Sequence, residues 1–143
     1  MNKIIICLLC STPLLVYAQD YSQQINSRQE AFEQIKSLIK NTKRTLDGPN
    51  TNWSKLQQHT TSLTERSKSL QTLFPSGSQS GSKAKESIWT KPERFQQLLA
   101  RMDQGFQELY QASKSQDVTL AEMGLDKAKS TCKSCHRSYR SRW

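Results

Sequence analysis

At 143 residues, with 34% hydrophobic and 8% aromatic side chains, the chain has the length of a single domain with a lean core. Two of its four cysteines, Cys7 and Cys10, fall in an N-terminal apolar run that reads as a cleaved signal, which leaves no disulfide framework. The formal net charge of +9 is dispersed and lacks the interleaved aromatics of a nucleic-acid module, so it reads as a solvated basic face that aids docking to acidic partners.

Met1-Asn2-Lys3 followed by the apolar run Ile4 to Val16, with Val16-Tyr17-Ala18 at the cleavage positions, has the form of a secretory signal cut after Ala18. The run falls short of the about 20 apolar residues a membrane span needs. Leu9 before Cys10 is a poor lipobox, because a small residue is required there. The segment 19–143 is therefore expected to be one soluble domain, exported to the periplasm. Cys7, Cys10 and Lys3 leave with the signal, so only Cys132 and Cys135 remain as thiols.

Four stretches have helical spacing and none alternates as a strand does, which predicts an all-α antiparallel four-helix bundle. In the first, Ile25, Arg28, Phe32, Ile35 and Ile39 share a face, ending near Asp47-Gly48-Pro49-Asn50. The second begins at Asn50 or Thr51 as cap, carries Trp53, Leu56, Thr60, Leu63, Leu70 and Phe74, and is stopped by Pro75. Residues 75–87 are a loop by composition, which Ile88 and Trp89 pin to the core. The third helix starts near Pro92 and carries Phe95, Leu98, Leu99, Met102, Phe106 and Leu109. The fourth runs from about Asp117 through Leu120, Ala121, Gly124, Leu125, Ala128, Cys132, Cys135 and Tyr139.

The last of these carries Cys132-Lys133-Ser134-Cys135-His136, a CxxCH motif. Two thiols one helical turn apart, followed at once by an imidazole, attach a c-type haem through thioethers and ligate its iron. A zinc site would need two further ligands at similar spacing, and His59 is the other histidine. A thioredoxin-like pair would need a βαβ setting. Haem c, one and covalent, is therefore the expected cofactor, with a good part of the buried apolar surface supplied by the porphyrin.

Almost nothing follows His136, so a second iron ligand would have to come from upstream. Met123 lies on the same helix about 20 Å away and cannot reach the opposite face. Met102 and His59 are the remaining ordinary ligands; the first falls on an apolar stripe and the second among Gln57, Gln58 and Thr61. Five-coordinate iron is the simplest outcome, and an open position admits a small diatomic ligand.

Arg28-Gln29-Glu30-Ala31-Phe32, Leu73-Phe74-Pro75 with Ile88-Trp89, and Cys132 to Arg140, in this order and at these distances, resemble cytochrome c′, the high-spin class II c-type cytochromes. The resemblance covers essentially all of 19–143 and implies roles position by position. Arg28 and Gln29 match the pair that contacts the haem propionates, a task suited to the planar guanidinium fork. Phe32 matches the apolar residue over the open face of the iron, where six-coordinate relatives place a methionine. Arg140 matches the basic residue beside the proximal ligand, and four residues after His136 it would project to the same helix face. Trp89 covers the haem edge or packs the loop. Where many relatives have Pro-Glu, this chain has Glu86-Ser87, and Lys83 and Lys85 are either propionate partners or solvated.

The resemblance implies capture of nitric oxide, and of carbon monoxide, in the periplasm, with nitric oxide able to displace the histidine from the proximal face. The alternative is an electron carrier that docks to acidic redox partners. Peroxidase-like turnover needs a distal acid or base, and with Phe32 in that place no enzymatic activity is expected. A homodimer is common among relatives.

Overall fold

The computed structural model describes residues 20–142. The segment 1–18, expected to be a signal and containing Cys7 and Cys10, lies outside them. The described residues form helices α1 (Ser22–Thr45), α2 (Trp53–Leu70), the short α3 (Ser87–Thr90), α4 (Pro92–Ser115) and α5 (Val118–Tyr139), with one 3-10 turn at Gly48–Asn50. The expected all-α four-helix bundle is thus built from α1, α2, α4 and α5.

Local signals set most boundaries. Asn52 caps α2 by accepting the Lys55 N–H at 3.0 Å, and Asp117 caps α5 by accepting that of Leu120 at 2.9 Å. Pro92 opens α4, where its missing N–H costs nothing, and Gln116 closes it in the left-handed region at φ 56°. Gly48, at φ 51°, makes the turn between α1 and α2.

Three boundaries differ from expectation. The second helix is capped by Asn52 rather than by Asn50 or Thr51, because those two residues are taken up by the preceding 3-10 turn and its end, and it is the Asn52 side chain that accepts the Lys55 N–H. The second helix ends at Leu70 rather than at Pro75, because the N–H groups of Gln71, Thr72 and Leu73 tighten onto the carbonyls three residues back. The residue before a proline is biased out of the helical region, so Phe74 sits in the loop. Ile88 and Trp89, expected to pin the loop, do so from the extra helical turn of α3.

Neighbouring helices run antiparallel: Ser67 of α2 meets Asp103 of α4 near one end, while Thr60 meets Ser113 toward the other. The seam between α4 and α5 is the tightest. A Cβ on Gly105 would lie 2.5 Å from the Ala128 nitrogen, and one on Gly124 would lie 2.6 Å from the Leu109 nitrogen, so the backbones touch where these glycines cross. Leu63, Leu70, Phe95, Leu99, Met102, Phe106, Leu109 and Leu125 fill the interior. Met102 is core filler. Leu120, expected on the inner stripe of the last helix, is 52% exposed because it lies in the first turn, before Ala121 takes up the buried face.

Packing proceeds around the ring from α1 to α2, α2 to α4 and α4 to α5, while α1 and α5 make no extensive contact of their own. The N-terminus of α1, the C-terminus of α5 and the loop 71–86 all gather at one end of that open seam.

Candidate functional site

Cys132, Cys135 and His136 occupy the last turns of α5. Both cysteines are half-buried and free. Burial raises both thiol pKa values, that of Cys135 to about 11 with Cys132 adding to the effect, so both are protonated at neutral pH. Among the described residues no group of histidine, cysteine and carboxylate side chains could hold a metal ion on its own, which disfavours the zinc reading. Free neutral thiols one turn apart, beside an exposed imidazole, are the donor set that a porphyrin's vinyl groups and iron require.

Across the open seam, α1 presents Phe32. The buried face of α1 runs through Ile25, Arg28, Ala31 and Ile35, and Phe32 lies just off it with 38% of its surface exposed. Its ring meets Phe74 edge-on at 6.4 Å. Phe74 in turn packs on Phe95 at 4.8 Å, and Phe95 on Tyr139 of α5 at 5.2 Å. A ladder of aromatic rings thus joins the two walls of the seam behind the site. Through this ladder the exposed phenyl of α1 is linked to the helix that carries the CxxCH, and a flat apolar group bonded to Cys132 and Cys135 would lie in the seam between them.

Arg28 has partners other than those the resemblance implies. It is 3% exposed, and its fork donates to Leu73 O at 3.2 Å, Ser78 Oγ at 2.8 Å, Ser78 O at 2.6 Å and Ser82 Oγ at 2.8 Å. Its Cζ lies 5.7 Å from the Trp89 ring centre. Burial lowers its pKa, but a guanidinium keeps its charge at neutral pH. Arg28 therefore anchors the loop in this structure, while Gln29 beside it is exposed and free to face solvent or a carboxylate. Trp89 packs the same loop, its indole N–H shared between Phe74 O at 3.1 Å and Pro75 O at 2.9 Å.

Arg140 corrects a point of geometry. The helix ends at Tyr139, and Arg140 is extended at φ −112°, ψ 128°, so it does not share a helix face with His136. It reaches the histidine's neighbourhood through an antiparallel bridge to Ala84, closed by Lys85 N–H to Tyr139 O at 3.0 Å and Ser141 N–H to Lys83 O at 2.8 Å. The Lys85 ammonium adds a bond to Arg137 O at 3.2 Å. Lys83, Lys85, His136, Arg137, Arg140 and Arg142 line one open cleft of about 810 Å³. His59 lies in the half of α2 nearer the opposite end; burial, then Lys55, lowers its pKa, and its Nδ1 is buried without a partner.

Nothing in the sequence distinguishes Ser78 and Ser82 within their serine- and glycine-rich run. The one available signal was Arg28 itself, since a guanidinium on a buried stripe demands acceptors.

A family model described as Cytochrome C' matches residues 23–140. Among solved structures, cytochrome c′ from Rubrivivax gelatinosus is 21% identical with a TM-score of 0.78, over 86% of this chain and 98% of that one. A nitric oxide complex of a point variant of cytochrome c prime from Alcaligenes xylosoxidans is 20% identical at 0.78, over 89% and 99%. A cytochrome c′ with an unusual ligand-controlled dimer dissociation is 17% identical at 0.75, over 88% and 100%. These likenesses concern the fold. No curated protein matches the sequence.

Proposed function

The chain belongs to the cytochrome c′ family, whose members carry one covalent haem c, and from that premise we propose that it is an exported gas-binding protein that captures nitric oxide in the periplasm. The observation that carries this reading is Phe32. The residue facing the site from α1 is a phenyl ring, which cannot ligate iron. Among the described residues Met102 is enclosed in the core, Met123 is exposed in the first half of α5, and His59 is held toward the far end of α2.

Bound here, a haem would supply iron chemistry able to take a diatomic ligand, nitric oxide or carbon monoxide. The chain's own residues set access to it. Cys132 and Cys135 would hold the group by thioether bonds and His136 would supply a nitrogen to its iron. Phe32 excludes water from the distal side and crowds any ligand arriving there. His136 is exposed in the last turn of α5 and Arg140 lines the same cleft, where it would be a hydrogen-bond donor to a ligand arriving by the proximal route. A phenyl ring as distal neighbour offers neither acid nor base for turnover, which supports ligand binding over catalysis as the role. Solved relatives include a nitric oxide complex and a dimer controlled by ligand, which supports both gas binding and a homodimer here.

Absorption spectra of the ferric and ferrous holoprotein, followed by titration with nitric oxide, test the reading. High-spin spectra and tight binding are expected. Low-spin spectra that nitric oxide leaves unchanged would refute it, as would a nitric oxide product that keeps His136 bound at equilibrium for the proximal route.

A further inference from the structure

We propose that Phe74 is a positioning residue for ligand entry: clamped in the loop by Arg28 and Trp89, its ring fixes the direction of Phe32 and so sets how quickly a diatomic ligand reaches the haem iron. The proposal rests on the reading that Phe32 crowds the α1 side of the site. It adds what holds Phe32 there.

The relation starts on α1. Arg28 and Phe32 are four residues apart, so they project from one face of the helix about 6 Å apart along its axis. Phe74 contacts both. The Arg28 Cζ lies 4.8 Å from the centre of its ring, and the Phe32 ring meets it at 6.4 Å with an interplanar angle of 62°.

A loop residue can serve as a buttress only if its own backbone is fixed. Here three consecutive carbonyls are held by side chains of other elements. Leu73 O accepts from Arg28 at 3.2 Å, while Phe74 O and Pro75 O accept the Trp89 indole N–H at 3.1 and 2.9 Å. Pro75 fixes its own φ and biases Phe74 away from the helical region. Behind the ring, Phe95 packs at 4.8 Å and Trp89 at 6.3 Å, so turning Phe74 away from α1 would break both contacts.

Phe32 is held less firmly. It is 38% exposed, and a helical backbone leaves an aromatic side chain two χ1 wells. An aromatic edge contact biases such a choice by up to about tenfold. The rotamer that faces the seam is therefore set by the clamped ring beside it, and the loop 71–86 governs entry without itself lying in the path.

The test compares the ferrous holoproteins of wild type, Phe32→Ala, Phe74→Leu and the double variant in carbon monoxide association after flash photolysis. Phe74→Leu should accelerate association about fivefold, and the double variant should be no faster than Phe32→Ala, because nothing remains to be positioned. Phe74→Tyr, which keeps the ring, should stay within about 1.5-fold of wild type. Trp89→Phe leaves the Phe74 ring intact but releases the carbonyls of Phe74 and Pro75. It should accelerate association about threefold in the wild-type background and leave Phe32→Ala unchanged. Denaturation midpoints of the first four proteins give a second cycle that involves no gas. There the loss in the double variant should be smaller than the sum of the two single losses.

A rate unchanged by Phe74→Leu, with Phe32→Ala still fast, would overturn the proposal and leave the reading of Phe32 standing. Acceleration that persists in full in the Phe32→Ala background would overturn it too, since a loosened loop would then be the cause. So would additive losses of stability. An unchanged rate in Phe32→Ala itself would remove the reading of Phe32, and this proposal with it.

Discussion

The Arg28 guanidinium carbon lies 4.8 Å from the centre of the Phe74 ring, so a buried cation rests on an aromatic face while its fork is filled by loop oxygens. Such a charge is tolerated only because every side of it is occupied. Arg28→Ala leaves the carbonyls of Leu73 and Ser78 without their donor and is expected to cost about 3 kcal/mol of holoprotein stability. Arg28→Lys keeps the charge, loses the fork, and should cost less. Chemical denaturation of both variants is the check, and equal stability to wild type would show the loop to be held by Trp89 alone.

Gly105 and Gly124 admit no side chain, since an added Cβ meets backbone nitrogen on the facing helix. Gly105→Ala and Gly124→Ala should each destabilise by about 3 kcal/mol, because the obstacle is main chain and cannot rotate away. Denaturation midpoints measure this. A neutral outcome would mean that α4 and α5 separate freely.

Phe32→Ala removes the crowding residue on the distal side. Carbon monoxide association with the ferrous protein should accelerate about tenfold, the equivalent of about 1.4 kcal/mol of barrier. The variant should also retain His136 in its nitric oxide product, seen in the Soret spectrum. Unchanged carbon monoxide kinetics would remove Phe32 from the access path.

The thiols give a pH signature in haem-free protein. The raised folded-state pKa of Cys135 favours its neutral form, so the associated stability is fully present below the ordinary thiol value of 9.0 and is lost as pH climbs toward about 11. At pH 8 the native thiol should react with iodoacetamide about 100-fold more slowly than in urea-unfolded chain, following its thiolate population. Equal rates would mean that the end of α5 is unfolded without haem.

Much of this architecture was legible in the sequence. Pro92 and Asp117 mark helix starts by their own chemistry, and the stripe from Phe95 to Leu109 has the period of a helix with one buried face. The CxxCH carried the cofactor by its spacing alone. What stayed hidden depends on contacts far apart in the chain. Arg28 finds Ser78 and Ser82 across fifty residues of sequence and more, and no local pattern announces it. Arg140 looked helical by count, yet its pairing with Ala84 draws the chain out one residue too soon. Phe32 fell on the apolar stripe by spacing, but at its edge, where burial depends on what occupies the open seam.

The crossing of Gly105 and Gly124 also has a mechanical meaning. Because the backbones of α4 and α5 meet there, that point is a geometric pivot, and any tilt of α5 about it moves the ends of the helix most. From Gly124 to His136 the lever arm is about 18 Å, so a tilt of about 3° carries the histidine about 1 Å toward or away from its partner. A small strain at one end of the lever thus becomes a bond-length-scale displacement at the other.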